Sequence, residues 1–356
     1  MTLSSSEQFE NFFDPPYDFV HFLSKNVETQ LRFEWRRYVR SFWQPLRTRH
    51  GVWDRREGLV VRLEDAEGRV GFGEIAPIPW FGSETLEAAI ALCTSLSAIE
   101  GGVNPQHLAL IPDTLPACQF GVAIAWDALH QAAIPAVAEA AIPQSARLLP
   151  TGEAALDAWD ASRSSEGMTY KWKIGVKSIR KELCTFQKLQ ALLPEMSKIR
   201  LDANGGLSVE EACRWLDVCA EDERVEFLEQ PLPPEEFAAM RELGDRFPTP
   251  LALDESVATL AQLQACYEQG WRGIVVVKPA IAGSPHRLRA LCYQHRLDVV
   301  VSSVFETAIA RSFLQTRLLP SLPSPLRAPG LGTAHWFPDD GFETSDFASL
   351  WQRLTP

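Results

Sequence analysis

Five charged residues lie at or just beyond the ends of short apolar segments, and neighbouring members of the set are 24 to 29 residues apart. They are Lys173, Asp202, Glu229, Asp254 and Lys278, in the segments YKWKIGV, IRLDANGG, VEFLEQP, LALDES and GIVVVKP. This separation is about the length of one strand–helix unit in a parallel barrel. Because the strands of such a barrel end at one rim, we expect the five side chains to face the same mouth.

Asp202, Glu229 and Asp254 would bring three carboxylates to that rim. Carboxylate oxygens suit Mg²⁺, which typically leaves coordination positions for water and substrate oxygens. Removing a proton next to a carboxylate builds two negative charges on one small fragment, and a divalent cation stabilises such charge. We therefore predict a Mg²⁺ site, at which Mn²⁺ would accept the same donors.

Single residues of this set have simpler interpretations. An acidic residue at a strand end is more often a helix N-cap or a loop partner, so the metal site depends on the three carboxylates occurring together. Asn204, two residues after Asp202, either supports the metal ligands or is a turn residue.

The lysines suit proton transfer. Lys171 and Lys173 are two residues apart in a strand, so they project from the same face. A neighbouring ammonium and partial desolvation lower the pKa of a lysine, which would make Lys173 a usable base. Lys278, on a strand further round the ring, would reach the opposite face of a bound substrate. A K-x-K pair alone is weak evidence, since such pairs often lie on solvated edges.

The elements that would position these residues follow from the sequence pattern. From Leu31, the segments LRFEWRRYVRSF and GLVVRLEDAEGRVGFGEI indicate antiparallel strands, with DAEG as a turn. Ser83 is the expected N-cap of a helix that follows. After Pro143, strand-like and amphipathic segments alternate as far as LDVVVSSVFE, which predicts a parallel sheet that closes into a barrel. A last strand is expected near Leu331.

Composition excludes several classes of protein. The net charge of −12 argues against sequence-independent nucleic-acid binding, which needs a basic surface. No segment approaches about 18 uninterrupted apolar residues, and no secretory signal begins the chain, so we expect a cytoplasmic protein without membrane attachment.

The seven cysteines are scattered and never form C-x-x-C, which predicts reduced, small buried side chains. The Gly71-Phe72-Gly73 and Gly330-Leu331-Gly332 motifs lack the third glycine of a dinucleotide loop.

The motifs K-W-K, L-D-A-N, L-E-Q-P, L-D-E-S and V-K-P together resemble the enolase superfamily, in the branch related to muconate-lactonizing enzyme. The segment GFGEIAPIPWFGSET is similar to the capping region of o-succinylbenzoate synthases, and SSVFETAIA is similar to their seventh-strand segment. In SSVFETAIA, the bulky Phe305, Thr307 and Ile309 depart from the serine-rich form of that family. The resemblance runs from about Leu31 to Phe337.

The resemblance implies an α/β fold, a modified (β/α)7β TIM-type barrel with an α+β capping domain. With the sequence pattern, it predicts an N-terminal extension at residues 1–30, the cap at 31–140 and the barrel at 141–328. A C-terminal segment at 329–356 would complete the barrel and return to the cap.

The resemblance also implies a lyase, specifically a hydro-lyase that acts on a small carboxylate substrate. It would dehydrate 2-succinyl-6-hydroxy-2,4-cyclohexadiene-1-carboxylate to 2-succinylbenzoate, in menaquinone or phylloquinone biosynthesis. Lys173 would remove the proton and then assist departure of the hydroxyl from the same face, Lys278 would stabilise the enediolate, and Lys171 would tune Lys173. Ser302 and Ser303 would contact the succinyl arm.

Two other functions remain open at this point. The same scaffold could racemise an N-acylated amino acid or epimerise a dipeptide, with Lys173 and Lys278 exchanging protons on opposite faces. The segment GLGTAHWF, where dipeptide epimerases usually carry an acidic D-x-D motif, favours a substrate without an amine. A non-catalytic barrel would have lost at least one of the five polar residues at the rim, and all five are present.

Overall fold

The computed structural model describes residues 30–48, 51–130, 142–159 and 167–355. The N-terminal extension predicted at residues 1–30 therefore lies outside the described residues except for Gln30. The domain boundary predicted at residues 140 and 141 also lies outside them.

The first part of the described chain forms a three-stranded antiparallel sheet. Its strands are β1 (Arg32–Thr48), β2 (Gly51–Glu64) and β3 (Val70–Ile75), in that spatial order. The β2–β3 turn is closed by Asp65, whose backbone N–H donates to the Arg69 carbonyl over 3.1 Å. The predicted strands and their DAEG turn are thus confirmed.

Three helices pack with this sheet: α1 (Leu86–Ser97), α2 (Pro105–Ala109) and α3 (Pro116–His130). Ser83 was the wrong choice for the N-cap of α1, because Thr85 holds that position and its Oγ1 accepts from Ala88 N over 3.2 Å. The Ser83 hydroxyl instead accepts from Ile78 N over 2.6 Å, which closes the preceding loop.

Glycines allow β3 and α3 to pack backbone against backbone. A Cβ atom at Gly71 would collide with the Ala125 carbonyl, and one at Gly73 would collide with the Gly121 carbonyl. The Gly71-Phe72-Gly73 motif is therefore a helix–strand packing motif of the cap.

We expect Gly73→Ala to destabilise the fold by about 3 kcal/mol or more, because backbone atoms would have to shift to admit the methyl group. Gly244, within the helix Phe237–Arg246, is the matched control, since the nearest atom to a Cβ there is Leu251 Cδ1 at 3.9 Å. Gly244→Ala should be neutral or stabilise by up to about 1 kcal/mol. Urea unfolding of both variants measures the difference, and equal stabilities would contradict the packing argument.

The second sheet contains seven parallel strands in the order β10-β9-β8-β7-β6-β5-β4. They are β4 (Arg147–Leu148), β5 (Thr169–Lys173), β6 (Lys198–Asp202), β7 (Val225–Glu229), β8 (Leu251–Leu253), β9 (Ile274–Val277) and β10 (Val299–Val301). Buried apolar side chains from several strands fill its interior: Phe227, Ala252, Ile274, Val276 and Val300.

Helices follow most of these strands, and the last helix of the chain contacts the cap, where Arg36 Nη1 donates to the Trp351 carbonyl over 2.6 Å. The helices are α4 (Ala154–Asp157), α5 (Ile179–Leu192), α6 (Val209–Cys219), α7 (Phe237–Arg246), α8 (Leu260–Glu268), α9 (Pro279–Ala282), α10 (Pro285–His295), α11 (Ala308–Phe313) and α12 (Phe347–Arg353). Short 3-10 turns lie at Pro79–Phe81, Pro234–Glu236, Glu255–Val257, Leu319–Ser321 and Ala334–Trp336, and a π-helical turn spans Leu314–Leu318.

The chain near residue 330 bridges the two ends of this sheet. Gly330 N donates to the Val301 carbonyl over 2.8 Å, and Ser303 N donates to the Gly330 carbonyl over 3.0 Å. On the other side, Ala146 N donates to the Pro329 carbonyl over 2.8 Å. These bonds join the region after β10 to the start of β4. The expected α/β fold, a TIM-type barrel with an α+β cap, is confirmed.

All seven cysteines fall within the described residues and are free thiols. Five are buried, namely Cys93, Cys118, Cys219, Cys266 and Cys292. Burial, for example, raises the pKa of Cys292 to about 12, so this thiol stays protonated and unreactive near neutral pH. Among the helices of the described residues, none has the length and apolar character needed to cross a bilayer.

Candidate active site

The barrel strands place the charged side chains on one rim. Lys173 is paired in register with Asp202, and Asp202 with Glu229, across three adjacent strand ends. Asp254 directly follows β8, and Lys278 directly follows β9. The 24-to-29-residue spacing therefore reflects successive parallel strands, as the sequence pattern predicted.

Lysine ammonium groups are the closest partners of the three carboxylates. Lys171 Nζ lies 2.9 Å from Asp202 Oδ2 and 2.7 Å from Glu229 Oε1. Lys278 Nζ donates to Asp254 Oδ1 and lies 4.1 Å from the centre of the Phe81 ring. The three carboxylate residues are almost fully buried, whereas Lys171 and Lys278 are partly exposed to the mouth.

Burial and neighbouring charges shift the pKa values of these groups in different directions. Burial, followed by the negative charge of Asp202, raises the pKa of Glu229 to about 8. Burial also opposes ionisation of Asp202, but the charges of Lys171 and Lys173 outweigh it and lower the pKa of that carboxyl. For Lys171, burial lowers the pKa and the Asp202 and Glu229 charges more than reverse this, so the pKa is raised. Lys171 is thus a fixed cation rather than a base.

Lys173 differs from Lys171 in its contacts. It lies at the end of β5 with its side chain partly buried, and its charge acts on Asp202. No hydrogen bond joins its Nζ to another of the described residues, whereas Lys171 Nζ donates to Glu229. Lys173 is therefore the lysine of the pair that is available to a reactant.

The donor set suits a divalent cation by its chemistry. Within the described ranges, no three acidic, histidine or cysteine side chains form a metal-binding cluster, and Lys171 and Lys278 make ion pairs with the carboxylates. Even so, Asp202, Glu229 and Asp254 offer hard oxygen donors on neighbouring strands. Burial, followed by the charges of Asp202 and Asp254, raises the pKa of Glu229, and a bound cation would act against these effects. The residues present fit Mg²⁺.

Asn204 and Glu255 form a second layer that the spacing argument only partly identified. Asn204 N donates to Asp202 Oδ1 over 3.0 Å, and its Nδ2 donates to Glu255 Oε1 over 3.1 Å. Asn204 also has φ 46°, as in a turn, and its support of a metal ligand stays a prediction. Burial, followed by Asp254, raises the pKa of Glu255 to about 7, and its buried Oε2 has no hydrogen-bond partner among the described residues. Glu255 adds a fourth carboxyl beside the rim.

Gln230 was missed by the sequence argument. Its Oε1 accepts from Asp254 N over 2.9 Å and from Ser256 N over 3.2 Å, and its Nε2 donates to Ser256 Oγ over 2.8 Å. The amide therefore fixes the segment that carries Asp254 to the strand that carries Glu229. Its place directly after Glu229 in LEQP was the available signal.

The two candidate serines have different surroundings. Ser303 Oγ donates to Glu306 Oε2 over 2.8 Å and accepts from Phe305 N over 2.9 Å, so it shapes the loop after β10. Ser302 continues the direction of β10, with its backbone N–H donating to the Val277 carbonyl over 2.8 Å. Both serines lie beside the strand that precedes Lys278.

Aromatic rings from the cap and the barrel extend from Lys278 around the mouth. Phe81 contacts Trp80 at 6.2 Å between ring centres, and Trp80 contacts Trp53 at 5.5 Å. Trp53 in turn packs edge-on against Phe305 at 5.4 Å. These contacts connect Phe81, beside Lys278, to Phe305 after β10.

Comparison with known proteins identifies the family. The family description "Enolase C-terminal domain-like" matches residues 154–332, and "MenC, N-terminal domain" matches residues 35–129. A protein from Thermosynechococcus vestitus named o-succinylbenzoate synthase is 40% identical over 337 residues, covering 91% of this chain and 99% of that protein. The chain belongs to the o-succinylbenzoate synthase family of the enolase superfamily. The family expected from the sequence, and with it a lyase, is confirmed.

Other comparisons agree with this family. The crystal structure of o-succinylbenzoate synthase from Thermosynechococcus elongatus BP-1, complexed with magnesium in its active site, has a TM-score of 0.76 and 38% identity. The match covers 91% of this chain and 100% of that one. The L-Ala-D/L-Glu epimerase from Bacillus subtilis shares only the fold, with a TM-score of 0.67 and 18% identity over 88% of this chain and 92% of that one.

Proposed function

We propose that this chain is an o-succinylbenzoate synthase, which dehydrates 2-succinyl-6-hydroxy-2,4-cyclohexadiene-1-carboxylate to 2-succinylbenzoate. The observation that carries the proposal is the rim itself. Three buried carboxylates lie between Lys171 and Lys173 on one side and Lys278 on the other, in a chain 40% identical to a protein of that name. We place the reaction in menaquinone or phylloquinone biosynthesis, and in the cytoplasm.

Asp202, Glu229 and Asp254 would hold Mg²⁺, with Mn²⁺ as an acceptable substitute. When bound, the cation supplies positive charge where negative charge develops on the substrate carboxylate. Asn204 would keep Asp202 oriented through its backbone N–H. The magnesium in the 38% identical crystal structure supports this assignment.

The lysines would divide the proton transfers. Lys173 Nζ removes the proton next to the ring carboxylate, and the electron pair remains on the substrate as an enediolate. The resulting Lys173 ammonium returns that proton to the departing hydroxyl on the same face as the ring carbon–oxygen bond breaks. One molecule of water leaves, and the ring becomes aromatic.

The other side chains would bind and stabilise. Lys278 faces the opposite side of the ring, where its ammonium stabilises the enediolate. Lys171 keeps its charge between Asp202 and Glu229, which places a fixed cation near Lys173. Ser302 would contact the succinyl arm, with Ser303 holding the shape of the same loop.

Turnover can be followed directly, because the aromatic product and the cyclohexadiene absorb differently in the ultraviolet. We expect conversion with MgCl₂ and no conversion after chelation with EDTA, with recovery when Mg²⁺ is returned. N-succinyl amino acids, monitored by polarimetry, test racemisation on the same scaffold. Inactivity on the cyclohexadiene together with robust racemisation would replace the proposal by the racemase alternative.

A further inference from the structure

Arg56 is a buried arginine of the cap whose guanidinium donates hydrogen bonds to backbone carbonyls. It lies on β2, and 2% of its surface is exposed. Its Nε donates to the Val304 carbonyl over 2.9 Å, and its Nη1 donates to the Pro77 carbonyl over 2.9 Å. Its Nη2 donates to the Ala76 carbonyl. One guanidinium thus joins a cap segment at Ala76 and Pro77 to a barrel segment at Val304, which lies 248 residues after Arg56 in the chain.

The cap segment leads to the proposed active site. We define the cap loop as residues 76–81, which continue from Ala76 and Pro77 into the 3-10 turn Pro79–Phe81. The Phe81 ring lies 4.1 Å from Lys278 Nζ. A displacement of Ala76 and Pro77 would therefore also displace the Phe81 ring, which lies against the Lys278 ammonium.

The barrel segment leads to the same site from the other side. We define the barrel loop as residues 302–305, which contain Ser302 and Ser303 and end at Phe305. Phe305 has φ 63°, an unfavourable conformation for a bulky residue, so its surroundings must enforce it. The bond from Phe305 N to Ser303 Oγ and the bond from Arg56 Nε to the Val304 carbonyl both hold the peptide group that precedes the Phe305 Cα.

The charge of Arg56 is held without an ion pair to any of the described residues. Burial lowers the pKa of Arg56, and the nearby carboxylates of Glu74 and Glu306 act against that effect. A buried charge is costly unless hydrogen bonds satisfy it, and a planar guanidinium can satisfy its donors only if the acceptors stay fixed. The same requirement makes Arg56 a rigid connector of the two loops.

We propose that Arg56 is a positioning residue for the dehydration, which fixes the barrel loop and the cap loop relative to one another across the substrate pocket. The proposal rests on the proposed function, since the two loops present Ser302 and Phe81 to that substrate. Arg56 touches no reacting atom. Arg56 would therefore act on substrate binding, through the cap loop and the barrel loop. It has no contact with Lys173, the proposed base on β5.

The test compares Arg56→Met with Arg36→Met. Arg36 is a matched control, because its Nη1 also donates to two backbone carbonyls, those of Trp351 and Leu354, at 2.6 and 3.0 Å. Those carbonyls lie at the C-terminal helix and not at the rim. We expect Arg56→Met to lower kcat/KM by about 100-fold, mainly through a higher KM, while Arg36→Met stays within about threefold of the wild type. Arg56→Lys should not restore KM, because one ammonium cannot replace the planar fork.

Hydrogen exchange provides a readout that does not need activity. Backbone amides in both residues 76–81 and residues 302–305 should exchange at least about tenfold faster in Arg56→Met than in Arg36→Met, since both loops lose the same connector. If wild-type protein showed no turnover, the proposed function would fail, and exchange would still decide the role of Arg56. Equal exchange and equal KM in the two variants, with similar losses of thermal stability, would reduce Arg56 to a purely structural residue.

Discussion

Replacing Lys173 by alanine is expected to lower kcat by about a thousandfold or more, with folding and Mg²⁺ binding retained. Lys173 lies at the end of β5, in register with Asp202, and its Nζ has no hydrogen bond to the described residues. In the proposed reaction this amine both removes a proton and returns it, and each such transfer typically contributes about 10²- to 10⁴-fold. The measurement is the ultraviolet assay under saturating substrate and Mg²⁺.

Two further variants separate proton transfer from charge. Lys173→Arg keeps a cation in place, but a guanidinium is too weakly acidic to cycle as a base, so this variant should be as inactive as the alanine variant. Lys188→Ala removes an exposed lysine from α5, in the same strand–helix unit, and should leave kcat unchanged. An arginine variant within about tenfold of wild type would show that positive charge, and not a base, is needed at this position.

The spacing of polar strand ends was sufficient to locate the rim. In a parallel barrel, consecutive strands point the same way, so residues such as Asp202 and Glu229 become neighbours as soon as the chain forms successive strand–helix units. The chemistry of the ligands and the order of the strands are both local properties of the sequence. For this reason the fold and the grouping of charges could be predicted together.

Contacts between distant segments could not be predicted in the same way. Glu74 on β3 accepts from Thr307 N over 3.0 Å and from Tyr38 Oη over 2.6 Å, and nothing in the local sequence pairs these residues. Such bonds depend on how the cap docks on the barrel, which is a tertiary property. The same limit hid the role of Arg56.

Local rules also failed where two residues competed for one role. Ser83 and Thr85 are both good N-caps, and Thr85 caps α1 because the Ser83 hydroxyl is used by Ile78 N. Similarly, the sequence placed Ser302 and Ser303 together, yet of these two hydroxyls it is that of Ser303 that donates to the Glu306 carboxylate. Which of two nearby, similar residues takes a role therefore depends on the hydrogen-bond partners that the fold brings to each.

Neutralising Glu229 should remove both Mg²⁺ binding and turnover without weakening the metal-free fold. Burial, followed by the negative charge of Asp202, raises the pKa of Glu229 to about 8. Glu229→Gln keeps the size of the side chain and removes the cost of ionising a buried carboxyl beside Asp202, which outweighs the attraction of Lys171, so the metal-free protein should be at least as stable as the wild type. A ligand that binds only the folded state adds about 2.7 kcal/mol at 100 times its Kd, so Mg²⁺ should raise the Tm of the wild type but not of the variant.

Glu226→Gln is the matched control for this prediction, because Glu226 lies on the same strand and pairs with Arg200 and Arg327 at 2.6 and 2.5 Å, away from the rim. Its loss leaves two arginines with fewer acceptors, so this variant should be less stable with and without Mg²⁺ while keeping the full metal-dependent rise in Tm. The two variants therefore move in opposite directions: one loses the response to the cation and the other loses intrinsic stability. A normal Mg²⁺-dependent Tm rise in Glu229→Gln would mean that the cation binds elsewhere, and the roles assigned to Asp202 and Asp254 would fall with that of Glu229.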